Sequence, residues 1–338
     1  MTVYDLARAA LFQLDAERSH DLTLALLARF PRLATAPFAP VVDGAPVELM
    51  GLRFRNRVGL AAGLDKDGRA ILAFDRLGFG FIEVGTVTPR PQPGNPKPRM
   101  FRLVQDGALI NRMGFNNGGV AALVSRVRAT PHRCVLGINI GKNRDTPIER
   151  AADDYLLCLE QIHPVADYIV VNISSPNTKN LRTLQHGESL RALLDALRTA
   201  RARLDDVHGR RPPLLVKFSP DLPLEELVAA ALAAREAGCD GVIATNTTVA
   251  RAGLKDAVLA AEVGGLSGRP LCARADDAVA ALRNALGADF PLIGVGGIDS
   301  AAAARQRRAA GADLIQLYTG FIYRGPALVG ECAQALRV

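Results

Sequence analysis

Aromatic residues make up only 5% of this 338-residue chain, and its five cysteines (Cys134, Cys158, Cys239, Cys272, Cys332) lie far apart, odd in number and never as CxxC. That spacing speaks against a disulfide framework and against a zinc site, and it fits a reduced, cytosolic compartment; no metal is expected. Long apolar runs are missing too: the longest uncharged stretch, Met113 to Ser125, falls short of the ~18 residues a spanning helix needs. The N-terminus lacks a basic start followed by an apolar block, and Asp5, Asp15 and Glu17 are out of place in an organelle-targeting peptide, so neither export nor a spanning segment is expected. The net charge of +7 raises the question of nucleic acid, but few aromatics and no helix-turn-helix, finger or RNA-binding motif weigh against it. The richest basic segment, 198–211, is interrupted by Asp205, Asp206 and His208 and reads as a solvated helix end.

What is present is a hydrophobic content of 49%, enough for a large core at this length. From Arg57 onward, runs rich in Val, Ile and Leu alternate with longer Ala/Leu/Arg segments of helical period. Eight strands are expected: 57–63, 80–87, 135–141, 168–174, 214–219, 241–247, 292–298 and 314–320. Helices are expected between them, for example over 222–238 and over 300–311, the latter opening at Asp299 or Ser300. Eight βα units imply an α/β fold, a (β/α)₈ TIM barrel, rather than an open doubly wound sheet. Two short helices precede it within residues 1–37 and form a small N-terminal extension to a barrel domain over 38–338. Phe38–Pro46 reads as a linker and Pro46–Asn56 as a hairpin that plugs the barrel's bottom.

Barrel active sites gather at the carboxyl ends of the strands. Those ends carry Gly63 and Lys66, then Thr86, Asn139, Asn172, Lys217, Thr245 with Asn246, Gly296 with Gly297, and Tyr318 with Thr319. Helix capping explains a threonine there, but not two lysines. The glycine-rich GVGGIDS (294–300) and YTGFIYRGP (318–326), with GGLSG (264–268), fit phosphate held by backbone N–H groups after the last strands. Around 171–178, VNISSPNT places Ser174 and Ser175 between two asparagines, where a plain turn and a reactive site compete as readings.

Six motifs settle the competition by resemblance: AAGLDKDG (61–68), NRMGFNN (111–117), NISSPNT (172–178), ATNTT (244–248), GGLSGRPL (264–271) and GVGGIDS (294–300). In order and spacing, over essentially the whole chain, the sequence resembles the class 2 dihydroorotate dehydrogenases, the membrane-associated, quinone-reducing form. The resemblance implies FMN as cofactor and oxidation of (S)-dihydroorotate to orotate in pyrimidine biosynthesis. It implies Ser175 as the base that takes the C5 proton, with Ser174 in support; the class 1 enzymes carry Cys at this place. Hydride from C6 goes to the flavin and electrons pass on to a membrane quinone. A hydroxyl is a weak base unaided, so Thr178 is the candidate to relay the proton.

A ureide ring alternates N–H donors with C=O acceptors, and an asparagine side chain offers both kinds. By resemblance the substrate is held by Lys66, Asn111, Arg112, Met113, Gly114, Phe115, Asn172, Asn177, Asn246 and Thr247, with Phe115 closing over the ring plane. The cofactor is held by Ala62, Gly63, Lys66, Thr86, Asn139, Asn172, Lys217, Thr245, Gly268, Gly297, Tyr318 and Thr319. Lys217, at the end of a buried strand, needs a partner, and reduced flavin is a suitable one.

Leu6, Ala10, Leu14 and Leu22, Leu26, Phe30 recur at helical spacing in residues 1–37. They either pack against the barrel or lie in a bilayer surface and guide quinone to the flavin; the resemblance favours the second, at the cytoplasmic face of the cell membrane. Arg8, Arg18, Arg29 and Arg32 are balanced by Asp5, Asp15, Glu17 and Asp21, so attachment rests on apolar area rather than charge. Ala16 stands where the family often has Pro, which is expected to loosen the turn between the helices. Because a quinone carbonyl wants a donor, His20, Arg102 and Tyr318 are the candidate quinone-site residues, with His20 reading equally as a cap or core histidine, and the resemblance implies a monomer. The rivals are a class 1 or dihydropyrimidine-type flavin enzyme, disfavoured by Ser175 and the front helices, and a non-catalytic membrane-binding protein, disfavoured by the intact polar site.

Overall fold

The computed structural model describes residues 2–38 and 44–337; the expected linker falls largely on 39–43, outside the described residues. In chain order the strands are β1 (Val47–Leu49), β2 (Leu52–Phe54), β3 (Val58–Leu60), β4 (Phe81–Val87), β5 (Met100–Leu103), β6 (Ala108–Asn111), β7 (Val135–Ile140), β8 (Tyr168–Asn172), β9 (Leu214–Phe218), β10 (Gly241–Ala244), β11 (Gly265–Gly268), β12 (Leu292–Val295) and β13 (Leu314–Leu317). Eight of them, β3, β4, β7, β8, β9, β10, β12 and β13, close into a parallel barrel in that order, with β13 pairing back to β3. These are the eight runs expected from the sequence. They are legible because a strand buried on both faces carries an unbroken apolar run.

The barrel interior is filled by Phe81, Val135, Tyr168, Leu215, Ile243, Ile293 and Leu314. Glycine makes room for the two large rings: a Cβ at Gly59 would stand 2.3 Å from the Phe81 ring, and one at Gly137 2.1 Å from that of Tyr168. β1 and β2 form the antiparallel hairpin, and Val47, Leu49, Leu52 and Phe54 pack onto this interior as the plug. The expected helices form at Leu224–Glu236 and Ala301–Ala309, and the Ser300 side chain caps the second by accepting from the Ala303 N–H at 3.2 Å. The segment GGLSG is not a free phosphate loop: β11 lies in a small antiparallel sheet, β11-β6-β5, standing over the carboxyl end of the barrel.

Two helices, α1 (Val3–Leu11) and α2 (Ala16–Arg29), precede the barrel, followed after Phe30 by one further turn, α3 (Pro31–Thr35). The turn between α1 and α2 is tied despite Ala16. Asp15 accepts from the N–H groups of Glu17 and Arg18, and Arg102 donates to Phe12 O, Leu14 O and Ser19 Oγ at 2.9–3.0 Å. Glu17 is buried against Arg99, Oε1 to Nη2 2.7 Å, and joins α2 to the start of β5. The apolar face flagged in the sequence turns outward: Leu6, Ala10, Leu22, Leu26 and Phe30 are exposed and Leu14 is half-buried.

Candidate active site

A cavity of about 140 Å³ opens at the carboxyl ends of the strands. Around it stand Ala62, Gly63 and Lys66 after β3, Thr86 on β4, Asn111 ending β6 with Met113, Gly114 and Phe115 after it, and Asn172 ending β8 with Ser175 and Asn177 after it. Lys217 on β9, Thr245, Asn246 and Thr247 after β10, Gly268 on β11, Gly297 after β12, and Tyr318 and Thr319 after β13 complete the wall. Three candidates are placed otherwise. The Arg112 guanidinium reaches Glu262 (2.6 Å), Val263 O and Pro98 O and stacks over Phe101, so it braces the neighbouring loop. Asn139 lies one layer below the cavity, fully buried. Thr178 is half-buried and off the wall.

The two serines separate. Ser175 faces the cavity, and among the described residues its Oγ accepts only the Asn177 N–H at 3.2 Å. Ser174 is fully buried behind it, donating to Asn172 Oδ1 at 3.3 Å and accepting from Asn246 Nδ2 at 3.0 Å. Asn177 donates to Asn111 O at 3.1 Å, which ties the serine loop to β6. Asn95 ties the same two loops from outside by donating to Arg112 O (2.9 Å) and Asn177 O (3.3 Å). Phe115 holds a left-handed φ of 55°, costly for a bulky residue, and its carbonyl is fixed by amide donors from Gln92 (3.1 Å) and Asn117 (2.7 Å).

Burial pushes the Lys66 ammonium down to about 8, and the nearby Arg99 charge adds to the shift. Burial also lowers Lys217, and the Glu83 carboxylate beneath it opposes the shift. Burial raises the Tyr318 hydroxyl above its ordinary value; it donates to Gly63 O at 3.3 Å.

Tyr318, Met100 and Leu109 also border a second cavity of about 270 Å³, lying between the front helices and the barrel. Its walls are mostly apolar, with Leu11, Leu24, Leu27, Leu64, Phe74 and Phe321 among them, and the three candidate quinone-site residues His20, Arg102 and Tyr318 all line it. Burial, helped by the charge of Lys66, pushes His20 down to about 3, so its ring is neutral at ordinary pH. Among the described residues no helix is long and apolar enough to cross a membrane.

The family described as "Dihydroorotate dehydrogenase" matches residues 45–337. Over 336 residues the chain is 58% identical to the "Dihydroorotate dehydrogenase (quinone)" of Burkholderia pseudomallei (strain K96243), covering 99% of this chain and 98% of that one. The same identity holds to the protein of that name from Burkholderia mallei (strain ATCC 23344), at 99% and 97% coverage. The chain belongs to the dihydroorotate dehydrogenase family. Among solved structures, the ligand-free DHODH of Eimeria tenella superposes with a TM-score of 0.88 at 41% identity, covering 95% of this chain and 94% of that one. The complex of that organism's DHODH with ferulenol also gives 0.88, at 39% identity and 95% and 90% coverage.

Dihydroorotate dehydrogenases are flavoenzymes, and the cavity suits a flavin. The Lys217 ammonium makes no hydrogen bond or ion pair among the described residues, and Gln316 Oε1 is a buried acceptor without a donor. A bound ring that offers an N–H and carries negative charge when reduced satisfies both. Behind the Gly296–Gly297 turn, the fully buried Arg307 donates to Gly296 O (2.8 Å), Cys272 O (3.2 Å) and Asp276 (2.5 Å), holding that glycine loop from below.

Sequence reasoning missed Glu83, Gln316, Asn95 and Arg307. A carboxylate inside FIEVGTV was the available signal for Glu83, since a charge in a strand buried on both faces needs partners. Arg307 sits in an Arg-rich helix and gave no signal, because its burial depends on which turn faces the barrel.

Proposed function

We propose that the chain oxidises (S)-dihydroorotate to orotate in pyrimidine biosynthesis and hands the electron pair to a membrane quinone. The observation that carries this reading is the convergence of Ser175, Lys66 and four asparagines (Asn111, Asn172, Asn177, Asn246) on one cavity that shares a wall with a second, apolar one. Lys66 meets the substrate carboxylate as a cation, and the asparagines match the alternating donors and acceptors of the ureide ring. Ser175 Oγ, with one backbone donor beside it, is the base for the C5 proton. Thr178 is the candidate to pass the proton on; an unchanged rate of flavin reduction in Thr178→Val would remove it from the path. FMN, when bound, supplies the acceptor for the C6 hydride and the route by which the electrons leave. Lys217 sits where it offsets negative charge on that group, and the glycine loop above Arg307 together with Thr319 is the phosphate cradle. The balance is dihydroorotate plus quinone to orotate plus quinol.

Residues 1–37 are the quinone-access segment of a monomeric, peripheral protein at the cytoplasmic face of the bacterial membrane, and 38–338 the catalytic domain. The outward turn of Leu6, Leu22, Leu26 and Phe30 supports this, since packing onto the barrel would have hidden them. The test is anaerobic: dihydroorotate should bleach the flavin band and a short-chain quinone should restore it, and a yellow protein that never bleaches points to another substrate. Deleting residues 1–37 should abolish quinone turnover and spare the bleaching; loss of both would tie the front helices to the first half-reaction.

A further inference from the structure

We propose that Glu83, on β4 inside the barrel, is a positioning residue that fixes the direction of two amides, Asn139 beneath the active-site cavity and Gln316 in its wall, and with them the donors and acceptors the cavity presents. The proposal rests on the functional reading above. Glu83 is fully buried and meets three donors: Asn139 Nδ2 at 2.8 Å on Oε1, and Tyr168 OH at 3.2 Å and Gln316 Nε2 at 2.5 Å on Oε2. Each of its oxygens therefore accepts from an amide NH₂, a group that can only donate.

The consequence runs outward in one direction. With its NH₂ engaged by Glu83, Asn139 turns Oδ1 the other way, where it accepts from Thr86 Oγ1 at 2.5 Å and Asn172 Nδ2 at 3.2 Å. Asn172, its own NH₂ now committed, turns Oδ1 to Ser174 Oγ (3.3 Å) and Asn246 Nδ2 (3.4 Å). Asn246 keeps Oδ1 for the Thr247 N–H at 2.8 Å. Backbone N–H groups, which cannot reverse, hold the outer part of the row: Ser174 N–H on Asn172 Oδ1 at 3.3 Å and Thr247 N–H on Asn246 Oδ1. Asn139 and Gln316 meet no backbone donor among the described residues, and an amide flips with almost no change of shape, so Glu83 is what fixes these two. Along its other arm, Gln316 spends its NH₂ on Glu83, which leaves Oε1 as the buried acceptor without a partner in a side chain that lines the cavity. One carboxylate thus decides which atom of Gln316 a ligand meets and keeps Asn139 matched to the direction that backbone N–H groups set in Asn172 and Asn246.

Glutamine has the shape of glutamate but can also donate, so Glu83→Gln allows Asn139 or Gln316 to reverse, the first against its fixed neighbour Asn172 and the second in the cavity wall. Moving the acceptor-only group one place along, in Glu83→Gln with Asn139→Asp, restores the direction. The carboxylate then stands at position 139, where it accepts from the introduced amide at position 83, from Thr86 and from Asn172, and one negative charge stays near Lys217. The experiment titrates orotate into the intact, flavin-loaded protein and follows the flavin band, with thermal melting as the check on folding. Glu83→Gln should weaken orotate on the order of tenfold with flavin still bound, and the double variant should recover most of the loss. Wild-type affinity in Glu83→Gln, or a double variant no better than the single, overturns the proposal and leaves Glu83 a packing residue. Where the single variant does not fold, the double decides alone: affinity within about threefold of wild type supports the proposal, and a larger loss overturns it. A wild-type protein that holds flavin but shows no response to orotate overturns the functional reading itself, a distinct result from a wild-type response that Glu83→Gln leaves unchanged.

Discussion

On one side of Tyr318, Met100 and Leu109 lies a cavity of about 140 Å³ whose polar side chains are oriented by other polar side chains down to the barrel interior; on the other lies one of about 270 Å³ walled mostly by leucine and phenylalanine. The first selects by direction, since every amide around it has a defined donor side and acceptor side. The second selects by area and offers few directional contacts. Such a pair suits a reaction with a charged, hydrogen-bonding first substrate and an apolar second one, and it predicts that each half-reaction can be damaged without the other.

The strongest separation should come from Ser175→Ala. Removing the hydroxyl should slow flavin reduction by dihydroorotate by roughly 10² to 10⁴-fold, read in single-turnover kinetics, while orotate still binds and quinone still reoxidises chemically reduced enzyme. A small effect on reduction would mean that another group takes the C5 proton.

Next in size is the seam that joins the two sides. Arg99 and Glu17 are both buried, and Arg99→Met leaves Glu17 with only Lys97, a largely exposed partner at 3.1 Å. The loss should be about 3–5 kcal/mol in thermal or denaturant unfolding, and Arg99→Met with Glu17→Leu should recover much of it, because the stranded charge is then gone. If the single change cost nothing, the front helices would be held by apolar contact and by hydrogen bonds such as those of Arg102 rather than by this ion pair.

How far this contrast was legible in the sequence follows from its physics. The barrel was, because each inner strand is an apolar run, and so was the wall of the polar cavity, because its residues lie in contiguous motifs at strand ends. The small sheet was not: β11 pairs with β6 from more than 150 residues away, and GGLSG carries no mark of a partner at that distance. For the same reason the sequence aims Arg112 at the substrate, whereas Glu262 draws it aside in the fold. The apolar cavity was half legible: helical spacing showed that an apolar face existed, but only packing shows that the face turns outward while Leu26 at its edge and other residues of the same helices line a void.

A pH profile sharpens the polar side. With burial holding Lys66 down to about 8, kcat/KM for dihydroorotate should fall as pH rises through about 8, by at most tenfold per unit, as the cation proposed to meet the carboxylate is lost. Stability should move the other way. The folded pKa lies below the unfolded 10.5, so between the two the unfolded chain binds more protons and stability rises with pH. A flat profile across pH 7–9 would show that substrate carboxylate or bound flavin has already restored the charge.

The smallest effect belongs to the apolar side. His20, pushed down from 6.5 to about 3, should stay neutral, so quinone turnover should show no limb between pH 5 and 8, and His20→Gln should change it little. The cost appears in folding: as pH drops through 6.5 the unfolded chain gains a proton that the folded one refuses until about 3, and stability declines across that window. A limb near pH 6 that vanishes in His20→Gln would mean that the imidazole is hydrated in the working enzyme. The second cavity would then be wet at the wall where His20 stands, and the division into a directional side and an apolar side would have to be redrawn with His20 among the polar groups.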